Sequence, residues 1–323
     1  MIPGLEAALR AGEQVRGTTS PNPPVGCALV APDGEIIATG GTSPAGGPHA
    51  EIHALRRAGG RARGASAVVT LEPCNHTGRT GPCTDALVNA GVARVVYLTA
   101  DPNPEASGGA DYLRRSGVEV EHVPTRVDAL QPWLTSVRRG RVSVTAKFAA
   151  TTDGFTAAPD GTSQWITGAE ARRRVHEDRA LRDAILVGTG TVLADNPSLT
   201  ARHPDGSLMR RQPRRVVVGT REVPEGNLTR LGFERYASPR EAMQALWDTG
   251  ARDVLVEGGA GLLSSMFEIG VVDRVQAYLA PMLLGGGRGV VTRALAPTLA
   301  RAPRFQLSGL YQLGHDVLME MER

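Results

Sequence analysis

The sequence predicts an α/β protein with two domains. Candidate strands alternate with candidate helices along nearly the whole chain, a pattern typical of layered domains that contain parallel strand pairs. The chain has 323 residues, which is long enough for two hydrophobic cores. Around residues 124–141 the β pattern stops and the run Arg138-Arg139-Gly140-Arg141 follows, which indicates a connecting helix and linker. We therefore predict domains at 1–141 and 142–323.

The first domain is predicted to open with a helix and a β-hairpin. Apolar residues recur at helical spacing near the N-terminus, and the prolines of Ser20–Pro24 then require a loop. Asp33-Gly34 is a strong hairpin-turn signal between two apolar runs. The predicted elements that follow are strands at Gly26–Val30 and Glu35–Thr39, a helix from near His49 to near Gly59, a strand at Ala65–Leu71, a helix at Thr84–Ala90, a strand at Arg94–Thr99, a helix ending at Arg115 and a strand at Val118–Val123.

The second domain repeats the alternation with longer loops. Its predicted strands are Val142–Phe148, Ala184–Gly188, Arg215–Val218, Val254–Glu257, Arg274–Ala280, Phe305–Tyr311 and Asp316–Met321, and its predicted helices are Gly168–Ala180, Pro239–Asp248 and Gly261–Ile269. The glycine-rich run Leu284–Gly289 is interpreted as a mobile turn.

Three residues of the first domain form a candidate zinc site. His49, Cys74 and Cys83 offer the nitrogen and sulfur ligands that zinc prefers, and a catalytic zinc site keeps its fourth position for water. Glu51 lies two residues after the histidine and is then free to move protons, as in zinc deaminases. Cys83 follows Pro82, which is favoured at the first position of a helix, and a helix N-terminus lowers the pKa of a thiol.

The same residues leave two other functions open. A purely structural zinc would take a fourth ligand, for which His53 and His76 are candidates, and the second half could then be a nucleotide-binding regulator. A zinc nucleoside or tRNA deaminase with an unrelated C-terminal domain is the other alternative. Eight residues separate Cys74 from Cys83, whereas the general deaminase signature has two residues between its cysteines, and this difference argues against it.

Composition and charge exclude several classes of protein. The formal net charge is only +3, and no concentrated basic stripe indicates a nucleic-acid partner; Arg172-Arg173-Arg174 is interpreted as a solvated helix face. No apolar stretch is long enough to span a membrane, and the first residues lack the apolar segment of a signal peptide. The three cysteines are too few for a disulfide scaffold, so we expect a cytoplasmic protein in which Cys27 is a buried small hydrophobe.

Several motifs together resemble one family. They are Asn22-Pro23-x-Val25-Gly26, His49-Ala50-Glu51, Thr70–Cys74 with His76, Gly78-Arg79-Thr80 and Pro82-Cys83, Asp101–Pro104, Asp153-Gly154, Ser163–Thr167, Gly190–Pro197 with Leu199-Thr200, and Val256–Gly259. The chain resembles, over nearly its whole length, the bifunctional deaminase–reductases of riboflavin biosynthesis. One departure is Gly81, where much of the family has proline.

The resemblance implies a cytidine-deaminase-like α/β/α domain followed by a dihydrofolate-reductase-like α/β domain. The first would deaminate the 2-amino group of 2,5-diamino-6-(5-phosphoribosylamino)pyrimidin-4(3H)-one, and the second would reduce the ribosyl side chain to ribityl with NADPH. His49, Cys74 and Cys83 would bind one zinc ion, Glu51 would shuttle protons, and Asn22, His76 and Arg79 would lie near the deaminase substrate. The resemblance also implies a homo-oligomer.

The resemblance supplies the residues of the reductase half as well. Those matching substrate-contacting positions are Ser163, Arg179, Leu199, Arg202 and Glu257. Those matching NADPH-contacting positions are Ala149, Trp165, Thr191, Asp195, Thr220, Gly259, Ala260, Gly261, Leu262, Leu263, Ser264 and Ser265. The residues support this in part, because glycines at a helix start let backbone N–H groups approach a phosphate, and arginine binds phosphate bidentately. The chain has no G-x-G-x-x-G after an early strand, so NADPH rests on the resemblance.

Overall fold

A computed structural model describes residues 2–75, 81–103 and 108–323 of the chain. It divides into two compact units, Met1–Gly140 and Arg141–Arg323. His76 and Arg79, which the sequence assigns to the deaminase substrate, lie outside the described residues. Within the described ranges, no helix combines the length and apolar character needed to cross a membrane.

The first unit contains a five-stranded mixed sheet. Its strands are ordered β2-β1-β3-β4-β5, with β1 antiparallel to both β2 and β3, and with β3, β4 and β5 mutually parallel. The β1–β2 pairing confirms the predicted hairpin. The elements are α1 (Leu5–Val15), β1 (Gly26–Val30), β2 (Ile36–Gly41), α2 (Ala50–Ala58), β3 (Ser66–Val69), α3 (Cys83–Asn89), β4 (Arg94–Tyr97), α4 (Gly109–Arg115), β5 (Glu119–His122) and α5 (Gln131–Arg139).

Both faces of this sheet are covered. Cys27 and Leu29 of β1 enter one apolar cluster, while the alternating residues Ala28 and Val30 enter another. Successive side chains of a strand point to opposite faces, so the two clusters lie on opposite sides of the sheet. An uninterrupted apolar run such as that of β1 is the sequence signature of a strand buried on both faces.

Close backbone contacts fix the helices of the first unit against its strands. A Cβ atom added to Gly40 on β2 would lie 2.2 Å from the carbonyl oxygen of Ala50, at the start of α2. A Cβ on Gly109, the first residue of α4, would lie 1.9 Å from the carbonyl oxygen of Pro73. Only glycine permits either approach. Helix α2 and the segment before Cys74 are therefore held in place by backbone packing.

The second unit contains an eight-stranded sheet ordered β10-β9-β8-β11-β6-β12-β15-β14. The strands from β10 to β12 are parallel, and β15 and β14 add an antiparallel edge. The elements are β6 (Ser143–Thr151), β7 (Phe155–Ala157), α6 (Ala169–Arg179), β8 (Ala184–Gly188), α7 (Thr189–Asp195), β9 (Arg214–Val218), α8 (Asn227–Leu231), β10 (Glu234–Tyr236), α9 (Pro239–Asp248), β11 (Asp253–Glu257), α10 (Ala260–Glu268), β12 (Arg274–Ala280), β13 (Arg288–Gly289), β14 (Gln306–Leu313) and β15 (Asp316–Glu322).

The structure corrects the interpretation of the run Leu284–Gly289 as a mobile turn. The Asp153 carboxylate accepts hydrogen bonds from the backbone N–H groups of Leu284 (3.1 Å) and Gly285 (2.7 Å). The end of the run is strand β13, which pairs with β7. The sequence missed this because the anchoring carboxylate lies about 130 residues earlier in the chain.

We predict that Gly40→Ala destabilises the first unit and disturbs its site. The added methyl must displace the start of α2, and overpacking of this kind costs about 1–3 kcal/mol of the free energy of unfolding. Calorimetric unfolding of the whole chain and its zinc content would both be measured. Gly60→Ala is the control, because a Cβ there meets no heavy atom within 4 Å. Equal stability of the two variants would contradict the packing argument.

Candidate active sites

Three different elements bring the predicted zinc ligands together. His49 is the N-cap residue of α2, Cys83 is the first residue of α3, and Cys74 follows β3 in a loop. The Thr84 hydroxyl donates to Asn75 Oδ1 at 3.0 Å and so ties α3 to the residue after Cys74. We expected Pro82 at the first position of α3, but it is the N-cap residue, because its backbone is extended rather than helical.

The geometry of these three side chains fits zinc. The ligand atoms of His49, Cys74 and Cys83 all lie within 4.8 Å of one another. His49 Nδ1 is 3.5 Å from Cys74 Sγ and 3.3 Å from Cys83 Sγ. Tetrahedral zinc, with bonds of about 2.05 Å to nitrogen and 2.3 Å to sulfur, would separate such atoms by about 3.6 Å. The donor set and its spacing therefore match a zinc site with three protein ligands.

The fourth-ligand alternative receives no support from His53. Its Nε2 atom is hydrogen-bonded to the Ser43 hydroxyl at 2.7 Å, and His53 does not belong to the ligand group that the described residues form. The other candidate, His76, is outside the described ranges. Within the described part of the chain, the group consists of three protein ligands, the number that a catalytic zinc site uses.

Glu51 lies beside the ligands and is buried, with 4% of its surface exposed. Burial raises the pKa of the Glu51 carboxyl to about 7, and the nearby Cys74 adds to this effect. A carboxyl group with a pKa near neutrality can both take up and release a proton, which a general acid–base catalyst must do. The position and the pKa of Glu51 both suit the proton transfer that the sequence predicts for it.

The two cysteines of the cluster differ in their surroundings. Hydrogen bonds, first from the Cys83 thiol and then from His49, lower the pKa of Cys74 to about 4. The hydrogen bond to Cys74 and burial raise the pKa of Cys83 instead, although Cys83 begins a helix. Contact with a neighbouring thiolate outweighs the helix N-terminus here, and a sequence does not show such contacts.

Asn22 was the remaining predicted contact of the deaminase substrate. It lies half-buried in the loop between α1 and β1. Its backbone N–H donates to the Thr19 carbonyl at 2.9 Å, and its own carbonyl accepts from the Thr19 hydroxyl at 2.9 Å. These two bonds fix the backbone of the loop at this residue.

A second site lies in the other unit, as a cavity of about 1580 Å³. It runs along the ends of parallel strands, where open α/β sheets bind their ligands. The predicted residues that line it are Ala149, Ser163, Trp165, Arg179, Thr191, Asp195, Leu199, Arg202, Glu257, Gly259, Ala260, Gly261, Leu262, Leu263 and Ser265. Thr220 and Ser264 do not line it. Ser264 is buried and its hydroxyl donates to the Ala260 carbonyl at 2.7 Å.

A buried ion pair forms the floor of this cavity. Arg179 donates from Nε and Nη2 to the two carboxylate oxygens of Glu257, at 2.6 and 2.7 Å, and from Nη1 to the Thr200 carbonyl at 2.9 Å. Burial alone would raise the pKa of Glu257, but the Arg179 guanidinium overrides it and lowers that pKa to about 2. Glu257 is therefore an anion at any physiological pH.

The sequence missed three residues of this cavity. Lys147 Nζ lies 4.0 Å from Glu257 Oε2, and burial lowers the pKa of Lys147. His176 Nδ1 is 3.0 Å from the Thr200 carbonyl oxygen. Arg172 places its guanidinium 4.5 Å from the ring centre of Trp165, so one side of the predicted solvated arginine run faces the cavity. A lysine inside the apolar strand run Val144–Ala150 was the one available signal.

The start of α10 offers a cradle for phosphate. Gly258 and Gly259 have φ angles of 78° and 73°, which favour glycine. A Cβ on Gly259 would lie 2.6 Å from Thr191 Oγ1, so any other residue would fill the space. Backbone N–H groups at the start of a helix bind phosphate well, and α10 has nine residues. The cavity and this cradle fit a dinucleotide cofactor.

Comparison with known proteins agrees with both sites. Residues 4–99 match the zinc-binding region of cytidine and deoxycytidylate deaminases, and residues 142–319 match the RibD C-terminal domain. The riboflavin biosynthesis protein RibD of Corynebacterium ammoniagenes is 57% identical over 306 residues, covering 92% of this chain and 91% of that protein. The Escherichia coli protein of the same name is 38% identical and covers 98% of both chains.

A solved structure matches the whole chain as well. The diaminohydroxyphosphoribosylaminopyrimidine deaminase/5-amino-6-(5-phosphoribosylamino)uracil reductase of Thermotoga maritima has a TM-score of 0.86 at 32% identity, covering 98% of this chain and 97% of that one. Fold, sites and relatives together define a bifunctional enzyme with a zinc-binding deaminase domain and a reductase domain. The chain belongs to the RibD family of riboflavin biosynthesis proteins. Its cofactors are zinc and NADPH. The comparisons support neither of the two alternative functions.

We predict that Cys83→Ala loses zinc while Cys27→Ala keeps it. Removing one of three ligands should weaken zinc binding by at least about 100-fold. Cys27 is the matched control, since it is a buried cysteine outside the ligand group. Metal content by elemental analysis, after dialysis against a chelator of moderate strength, distinguishes the two variants. A fully metallated Cys83→Ala protein would remove this residue from the ligand set.

Proposed function

We propose that the chain acts on 2,5-diamino-6-(5-phosphoribosylamino)pyrimidin-4(3H)-one. The first unit hydrolyses its 2-amino group to a carbonyl and ammonia. The second unit then transfers a hydride from NADPH, with a proton, and converts the ribosyl side chain to ribityl. The name of the similar Thermotoga maritima protein, a diaminohydroxyphosphoribosylaminopyrimidine deaminase and reductase, supports this substrate. The observation that carries the proposal is the pairing, in one chain, of the His49, Cys74 and Cys83 cluster with a phosphate-binding cavity.

In the deaminase step, His49, Cys74 and Cys83 hold the metal and Glu51 moves protons. Zinc, when bound, supplies an activated water near neutral pH. The Glu51 carboxylate takes a proton from the attacking water and delivers it to the leaving amine. The burial of Glu51 keeps competing water away and holds its pKa near 7. Neither the uptake nor the release of the proton then has a large free-energy cost. We assign Asn22, His76 and Arg79 to contacts with the pyrimidine substrate.

In the reductase step, the cavity of the second unit positions two ligands for hydride transfer. We assign Ser163, Arg179, Leu199, Arg202 and Glu257 to the pyrimidine substrate. The NADPH contacts that we assign are Ala149, Trp165, Thr191, Asp195 and the residues of Gly259–Ser265 that line the cavity, which exclude Ser264. Thr220, one residue before the cavity-lining Arg221, is assigned to the same ligand. Arg202 supports this division, because its Nε donates to the Thr200 hydroxyl at 2.8 Å, next to the Arg179–Glu257 pair. Orientation of donor and acceptor can supply much of such a rate enhancement.

We infer further that the protein is a cytoplasmic homo-oligomer with domains at 1–141 and 142–323. Three cysteines that form no disulfide support a reducing compartment. The first compact unit ends at Gly140, one residue before the end of the proposed first domain. Edge strand β14 supports association, because it exposes Leu307, Leu310 and Tyr311, with 58%, 61% and 47% of their surfaces accessible.

A coupled assay on the purified, zinc-replete chain tests the two reactions. The diaminopyrimidine is added first without NADPH, and loss of the amino group is followed by mass and by ammonia release. NADPH is then added, and its absorbance and a two-electron mass gain are followed. Deamination without NADPH oxidation would leave the first half of the proposal standing and remove the second. No reaction with zinc bound would overturn the substrate assignment.

Glu51→Gln should abolish deamination and keep both zinc and reduction. Glutamine preserves the shape of the side chain and cannot shuttle a proton, so we expect the deamination rate to fall at least about 100-fold. Reduction of the preformed deaminated intermediate by the same sample is the internal control. Metal analysis shows whether zinc is retained. Wild-type deamination by this variant would remove Glu51 from the mechanism.

A further inference from the structure

The cavity of the second unit contains arginines without an acidic partner. Within the described ranges, no carboxylate lies within 4.0 Å of the guanidinium groups of Arg202 or Arg221, although both line the cavity. Arginines that are arranged around a cavity without acidic partners are suited to bind phosphate. The proposed reaction brings two phosphorylated ligands here, the ribose 5-phosphate of the substrate and NADPH. Arg172 and Arg288 line the cavity as well. The contacts of Arg202 and Arg221 indicate which ligand each of these two would meet.

Arg221 sits away from the ion pair that marks the substrate end. Arg202 is bonded to Thr200, whose carbonyl also contacts Arg179. Arg221 follows β9 and its Nε donates to the Thr189 hydroxyl at 3.4 Å, at the first residue of α7. Strand β8 separates β9 from β11, the strand that ends at Glu257, so the ends of β9 and β11 lie about 10 Å apart.

The first turn of α7 lies between Arg221 and the phosphate cradle. A Cβ on Gly190 would lie 2.7 Å from Arg221 Nη2, so the guanidinium rests directly on Gly190. The next residue, Thr191, has its hydroxyl 2.6 Å from the position of a Cβ on Gly259. Consecutive residues of α7 therefore contact the guanidinium and the cradle. A phosphate group at Arg221 and a pyrophosphate at the start of α10 would lie on opposite sides of the first turn of α7.

We propose that Arg221 binds the 2′-phosphate on the adenosine ribose of NADPH and thereby selects NADPH over NADH. This inference rests on the proposed cofactor site. It adds the residue that distinguishes NADPH from NADH by binding the 2′-phosphate. The adenosine ribose of NADPH carries the 2′-phosphate and is joined to the pyrophosphate through its 5′ position. The two phosphate groups can therefore lie on either side of the first turn of α7. Gly190 has no side chain, so the Arg221 guanidinium can lie directly against it. Only Nε of Arg221 donates to the Thr189 hydroxyl, which leaves Nη1 and Nη2 to donate to the phosphate.

The test compares two small probes on the whole zinc-replete chain by titration calorimetry. Adenosine 2′,5′-bisphosphate carries the 2′-phosphate, and adenosine 5′-monophosphate lacks it. For Arg221→Gln we expect the Kd of the bisphosphate to rise at least about tenfold and that of the monophosphate to change less than about twofold. Arg230→Gln is the matched control, because Arg230 is an exposed arginine on α8 that does not line the cavity. It should bind both probes as the wild type does.

Further arms of the experiment identify which assignment fails. Unchanged binding of the bisphosphate by Arg221→Gln would overturn the inference while leaving the cofactor site intact. A raised KM for the pyrimidine substrate with unchanged bisphosphate binding would assign Arg221 to the substrate phosphate instead. Failure of the wild type to bind NADP⁺ at all would overturn the proposed reductase function itself. In the supporting outcome, Arg221→Gln also loses the preference of the wild type for NADP⁺ over NAD⁺ in binding.

Discussion

Close approaches at a few glycines shape each of the two sites. In the first unit, Gly40 lets the start of α2 lie on β2, and Gly109 lets α4 reach the carbonyl of Pro73, next to Cys74. In the second unit, Gly259 and Gly190 bring Thr191 and Arg221 against the same cavity. A side chain at Gly40 or Gly109 would push a helix outward by about the size of a methyl group, and one at Gly259 or Gly190 would displace Thr191 or the Arg221 guanidinium. Chemistry that depends on a few tenths of an ångström tolerates no such shift.

Two buried carboxylates show how their surroundings set their roles. Glu51 and Glu257 both expose less than a tenth of their surfaces. The pKa of Glu51 rises to about 7 because burial dominates, whereas that of Glu257 falls to about 2 because Arg179 forms two hydrogen bonds with it. One group can exchange protons near neutral pH, and the other is a fixed negative charge. Environment assigns acid–base and electrostatic roles in this way throughout enzymes.

Most of the fold and all three residues of the candidate zinc site could be predicted from the sequence, for identifiable reasons. Apolar runs bounded by turn residues marked the main strands, and the ligands stood in short motifs next to helix starts. Element α7 was missed because its residues Thr189–Asp195 have no apolar stripe, and Lys147 because a single polar residue within a strand has no distinctive pattern. The roles of both become visible only in contacts with distant residues, those of Thr189 in α7 with Arg221 and of Lys147 with Glu257.

Arg179 and Arg221 differ in how much of their hydrogen-bonding capacity the protein already uses. Arg179 keeps 16% of its side chain exposed, and three of its five N–H donors are bonded to Glu257 and the Thr200 carbonyl. These bonds fix the charge and position of Glu257, and two N–H donors remain for the substrate to which we assign Arg179. Arg221 is exposed at the cavity rim, with one long hydrogen bond. An exposed guanidinium gives up part of its hydration when a phosphate binds, and it regains charge-assisted hydrogen bonds. The phosphate binding that we propose for Arg221 would thus use donors that the fold leaves available, while the Arg179–Glu257 pair keeps the site in shape.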